Sequence, residues 1–235
     1  MKQFLFVLML TFIISISNID ASKLKKKQVS LSNFSRQGNM TISDVGASPN
    51  GVWICPQSGE IMKFSNSSVQ MIIASNITDQ CVSLDVDYNG LPWVVTNVGD
   101  VWRLKLIIGN SYTWMKIYSA SSSTPKAIDI GCGLNPTSTC YIAITGQPTA
   151  FAYNGVYFVT SDYNLTNPIL RLDVSTGVGG DVIVAIDNTY TAYEIVKGSN
   201  ATAVGMIGVD VTVGSSNQIY IINHSRISNI IHTYT

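Results

Sequence analysis

Five aspartates recur along the chain in the same local setting: Asp44, Asp85, Asp129, Asp173 and Asp210, spaced 41, 44, 44 and 37 residues apart. A carboxylate repeated at such an interval either accepts backbone N–H groups and holds local geometry, or joins its copies in a ring of acids around a cation. Each of the five is flanked mostly by apolar residues, as in Leu84-Asp85-Val86, so strand alternation puts it on the face opposite its neighbours. A structural role follows, with each carboxylate expected to take up N–H groups of the turn beyond it. No EF-hand spacing supports the cation alternative.

Acids outside this series, Asp87, Asp100, Asp162, Asp181 and Glu194, would suffice for a two-carboxylate glycosidase. Otherwise the chain is poor in catalytic patterns. It has no G-x-S-x-G, H-E-x-x-H or G-x-x-x-x-G-K-[ST] motif, and its two histidines are His224 and His232. The expectation is a non-catalytic protein with no cofactor and no metal site.

The aspartates belong to a longer repeat that must position them. Ile42-Ser43-Asp44-Val45-Gly46 leads through Pro49-Asn50-Gly51 to Val52-Trp53-Ile54. Ser83-Leu84-Asp85-Val86-Asp87 leads through Tyr88-Asn89-Gly90 to Pro92-Trp93-Val94-Val95, and the same order returns around Asp129, Asp173 and Asp210. A third run follows, Gly59-Glu60-Ile61-Met62-Lys63-Phe64 in unit one and Gly99-Asp100-Val101-Trp102-Arg103-Leu104 in unit two, and a fourth after it. A period near 40 with short β-rich runs and Asn-Gly turns at 89-90 and 154-155 is the size of a four-stranded propeller blade. The sequence therefore predicts an all-β propeller of about five four-stranded blades over residues 28–235, an open β-sandwich being the alternative. Unit five supplies only three strands, so the β-compatible stretch Gln28 to Phe34 is expected to complete the last blade and close the ring.

Lys2 followed by an apolar run from Phe4 to Ile14 and a polar stretch ending at Ala21 reads as a secretory signal peptide over residues 1–21, with an uncleaved membrane anchor as the alternative. Residues 22–27 form a basic leader. Lys2, Lys23, Lys25, Lys26 and Lys27 take five of the 14 basic residues, leaving nine in the body against 13 acidic ones once Asp20 is set aside. A slightly acidic body lacks the basic field that nucleic-acid binding requires.

Four cysteines in a chain bound for an oxidising compartment imply two disulfides. Of the three pairings, Cys132 with Cys140 is favoured because the two flank one turn, which leaves Cys55 with Cys81; zinc is the weaker rival. Sequons at Asn33, Asn39, Asn66, Asn76, Asn164, Asn200 and Asn223 are N-glycosylation candidates on exposed turns.

The succession Asp-Val-Gly, an Asn-Gly turn, Val-Trp, Gly-x-Ile/Val-large-Lys/Arg, and an aromatic such as Trp114 in the fourth strand resembles the tectonin repeat, best in units one and two. That repeat occurs in lectin-like propellers, including invertebrate and fish-egg lectins. The resemblance implies a secreted lectin whose partners are glycans or glycoproteins, microbial surface polysaccharide among them. A non-catalytic scaffold protein of the extracellular surface or matrix is the alternative. Trp53 and Trp93 are expected to fill the core between sheets, with ligand stacking as their second option. Tyr88 is the aromatic expected at the surface, and the carbohydrate-binding candidates are Tyr88, Asn89, Trp102 and Arg103.

Overall fold

The computed structural model describes residues 42–48, 51–56, 61–65, 68–72, 77–107, 111–177, 180–197, 199–213, 218–223 and 227–231. The proposed signal peptide, the basic leader, the stretch 28–34, both histidines and the sequons at Asn33, Asn39, Asn66 and Asn76 lie outside them.

Among the described residues every regular element is a strand, and within each sheet consecutive strands pair antiparallel, giving four sheets of four strands and one of three. The first holds β1 (Ile42–Ser48), β2 (Gly51–Pro56), β3 (Ile61–Ser65) and β4 (Ser68–Ile72). The second holds β5 (Cys81–Val86), β6 (Pro92–Thr96), β7 (Val101–Ile107) and β8 (Ser111–Tyr118). The third holds β9 (Ala127–Cys132), β10 (Cys140–Ile144), β11 (Thr149–Tyr153) and β12 (Phe158–Asn164). The fourth holds β13 (Ile169–Gly177), β14 (Gly180–Asp187), β15 (Thr191–Val196) and β16 (Thr202–Ile207). A three-stranded sheet of β17 (Asp210–Val213), β18 (Gln218–Ile222) and β19 (Ile227–Ile231) follows.

The first strands pack side by side, β1 on β5, β5 on β9, β9 on β13 and β13 on β17, so the sheets radiate from a common axis as blades of a β-propeller. The apolar core accordingly lies between blades. Trp53, Cys55 and Ile61 of the first pack on Leu84, Val94, Leu104 and Trp114 of the second, and comparable clusters fill the next three seams. A blade covered on both faces needs apolar residues on both, and β6 and β10 are buried at every position. This is why the second strand of each unit reads as an apolar run rather than an alternating one.

Two glycines set how closely the inner strands approach. A Cβ on Gly46 would sit 3.0 Å from the Cα of Asp85, and one on Gly131 would sit 2.7 Å from the Cα of Asp173. Each glycine is two residues after a repeated aspartate and lies where the next blade's aspartate crosses. Two disulfides complete the framework, Cys55–Cys81 between β2 and β5 and Cys132–Cys140 across the β9–β10 pair, the pairing favoured from sequence. Such bonds suit an oxidising environment.

Candidate functional site

The five repeated aspartates sit on the innermost strands, and they do not hold their own turns. Instead each of four reaches into the following blade. Asp44 Oδ2 accepts the N–H of Leu84 at 2.8 Å, Asp85 Oδ2 that of Cys132 at 2.6 Å, Asp129 Oδ2 that of Leu172 at 2.8 Å, and Asp173 Oδ2 that of Val213 at 2.6 Å. The second oxygen of Asp44, Asp85, Asp173 and Asp210 accepts the N–H of the residue that follows it. The seam register alternates. Where the strand carries a glycine two places on, at Gly46 and Gly131, the bond lands on the residue before the next aspartate; where it carries Asp87 or Ser175, the bond lands three residues after it.

Carboxylates gathered on one axis raise one another's proton affinity. Burial, then the charges of Asp210 and Asp129, push Asp44 well above the usual carboxylate range; burial and then Asp173 do the same to Asp85. Burial carries Asp129 up to about 6 although the Arg171 guanidinium pulls it down, and burial takes Asp173 up to about 7. Asp210 is raised by burial against the pull of Arg171, which lies 3.9 Å away with both side chains some 40 % exposed (42 % and 40 %), a pair worth at most ~1 kcal/mol. Among the described residues no cluster of three or more His, Cys, Asp or Glu has the geometry to hold a metal ion.

Turn geometry is instead the work of an acid outside the repeat. Asp87 Oδ1 accepts the N–H groups of Asn89 and Leu91 at 2.9 and 3.1 Å, while Gly90 takes the positive φ of 76° that the turn requires. Asp87 Oδ2 accepts the indole N–H of Trp93 and Nη2 of Arg103, both at 3.2 Å. From the first blade the Trp53 indole donates to the carbonyl of Gly90 at 3.2 Å. The turn is thereby fixed from two blades, and on it Tyr88 is 48 % exposed beside an exposed Asn89.

Arg103 lies with its guanidinium 4.9 Å over the Trp93 ring and 5.9 Å from that of Tyr153, which meets Trp93 edge-on at 4.8 Å. A guanidinium held this way is a fixed donor beside an exposed phenol and a side-chain amide, a set suited to sugar hydroxyls and an apolar sugar face. The pairing with Trp93 follows from strand register, in which Trp93 stands opposite Arg103 just as Trp53 stands opposite Lys63, whose ammonium is 5.3 Å from the Trp53 ring.

The structure thus gathers Tyr88, Asn89 and Arg103 at one turn. It leaves Trp102 out, because adjacent residues of β7 face opposite ways: Trp102 packs against the seam with the first blade, under Lys116 at 4.9 Å. Trp53 and Trp93, both 1 % exposed, fill the core. The remaining acids are engaged elsewhere or at the surface. Asp100 pairs with Lys116 and accepts the Ala120 N–H, Asp181 accepts the Tyr141 hydroxyl at 2.9 Å, Glu194 is partnered, and Asp162 is exposed. Of the described sequons, Asn164 and Asn200 are exposed and Asn223 is half-buried.

Sequence reasoning missed Asp87 and Tyr153 as parts of this site. Asp87 had a legible signal, an Asx pattern ahead of Asn89-Gly90; Tyr153 had none, since it arrives from the neighbouring blade.

No protein-family model matches the chain, and none of the curated proteins matches it. Solved structures do resemble it. A streptogramin B lyase structure matches with a TM-score of 0.57 at 10 % identity, over 80 % of this chain and 64 % of that one. Virginiamycin B lyase from Staphylococcus aureus gives 0.54 at 13 %, over 81 % and 69 %. YCF48 from Cyanidioschyzon merolae gives 0.51 at 13 %, over 77 % of this chain and 63 % of that one. At such identities the likeness is one of fold, that of a β-propeller.

Proposed function

We propose that this is a secreted, non-catalytic, lectin-like protein of tectonin type that recognises surface glycans at sites repeated around a five-bladed ring. The observation that carries the reading is the turn of Tyr88 and Asn89, an exposed ring and amide beside an arginine held between Trp93 and Tyr153 by Asp87. A ligand meeting such a turn orders little that is not already ordered. Blade one repeats the tryptophan–cation pair as Trp53 and Lys63, which supports more than one site. Weak sites linked on one body reach high avidity on a multivalent surface.

Ring closure is part of the proposal, with the stretch Gln28 to Phe34 completing the sheet of β17, β18 and β19. It is supported by the last sheet, which holds three described strands where the others hold four, and by the β-compatible stretch ahead of the first unit. The two disulfides support export. A glycan array run with the purified protein tests the function. Selective binding displaced by free sugar is the expected result, and a blank array with specific protein partners would replace the lectin with the scaffold.

A further inference from the structure

Within each blade the strands alternate in direction, so the turn between first and second strands and that between third and fourth lie at the same end of the propeller. At that end, on the second and third blades, exposed apolar side chains collect: Tyr88 on the β5–β6 turn, Leu106, Ile107 and Tyr112 at the tip of β7–β8, and Val156 and Tyr157 at the tip of β11–β12. Val156 is 72 % exposed, on a tip set by Asn154 Oδ1, which accepts the N–H groups of Val156 and Tyr157 at 3.0 Å each. The two blades are joined beneath the tips by Arg103 on Tyr153, whose strand partner is Phe158.

Among the described residues the exposed charges beside these tips are lysines, the acids there being buried or half-buried. Lys105 on β7 and Lys197 on the β15–β16 turn are exposed, whereas Asp87 is turned onto Arg103 and Trp93, and Asp181 onto Tyr141 and Thr139. We infer that this end of the propeller docks on a lipid bilayer with anionic headgroups, its hairpin tips entering the interface and its lysines meeting phosphates. Separate hairpins carrying exposed Tyr, Leu, Ile and Val, with lysines on the second and fourth blades beside them, match the layered polarity of a bilayer surface. A folded protein partner would instead need a continuous face to pack against. The inference does not depend on sugar binding, and sugar-free vesicles test it separately.

Co-sedimentation of the full chain with phosphatidylcholine vesicles, with and without phosphatidylserine, is the experiment. The expected result is partition onto the phosphatidylserine vesicles that salt weakens, and at least about tenfold weaker partition for Ile107→Asp/Val156→Asp, since two apolar anchors are lost. Both positions are exposed, so the double variant should melt as the parent does. The inference is overturned if the parent does not partition, or if the double variant partitions equally. A concentration-dependent dimer in sedimentation velocity, abolished by the same substitutions, would also overturn it and assign the face to a second copy of the chain.

Discussion

The carboxylate of Asp129 accepts the backbone N–H of Leu172 at 2.8 Å, joining two blades through residues 43 apart in sequence. Its other oxygen takes the Ser83 hydroxyl at 2.7 Å, so one side chain ties three inner strands. Substituting Asp129→Ala would leave a buried N–H and a buried hydroxyl without their acceptor. The expected loss is roughly 2–4 kcal/mol in a urea titration. A loss below about 1 kcal/mol would mean that the seams hold by apolar packing alone.

Stability should fall as pH rises. Asp129 and Asp173 titrate near 6 and 7 in the fold, against about 4 in the unfolded chain, so the native state holds their protons more tightly. Their contribution is fully present below about pH 4 and is lost as pH climbs through the folded values. The melting temperature should therefore drop by several degrees, roughly 5 °C or more, between pH 5 and pH 8. Asp210→Asn, which keeps an oxygen for the Val211 N–H and removes a charge that raises Asp44 and Asp129, should flatten the curve. A melting temperature that rises over this range would contradict the assignment.

Gly131→Ala should destabilise by roughly 2 kcal/mol or more, because the new methyl group meets the Asp173 backbone at 2.7 Å and backbone cannot step aside. Gly146→Ala supplies the contrast. There the added carbon meets nothing within 4 Å and the cost comes from a φ of 74° alone. Chemical denaturation of the two variants separates crowding from conformational strain.

The disulfides should differ in weight. Cys55–Cys81 closes a span of 26 residues and Cys132–Cys140 one of eight, so chain-entropy loss in the unfolded state gives about 3.5 and 2.5 kcal/mol respectively. Paired serine substitutions, compared by thermal melting, should reproduce that order. The first bond also joins two blades, and its removal should loosen their seam.

Tyr88→Ala should weaken binding to a multivalent glycan while leaving the melting temperature nearly unchanged, since the ring is half exposed. Arg103→Gln should weaken binding too, but at a cost in stability, because it leaves Asp87 without its cation and Trp93 without its lid. Unaltered glycan binding by Tyr88→Ala would remove that residue from the site.

Much of this was legible in the residues themselves. The spacing of the aspartates, the apolar second strands and the two-residue turns report the repeat, because strand period and turn chemistry are local properties. The cross-strand partnership of Trp93 with Arg103 was equally readable, both lying five residues from Val98 at the centre of their hairpin. What each aspartate grips was not. The Asp129–Leu172 bond, the stacking of Arg103 on Tyr153 and the inward facing of Trp102 arise where blades meet, and those contacts depend on how closely neighbouring strands approach around the axis. Sequence determined the unit; the packing of one unit on the next decided which of its polar groups hold neighbouring blades together and which stay exposed at the turns.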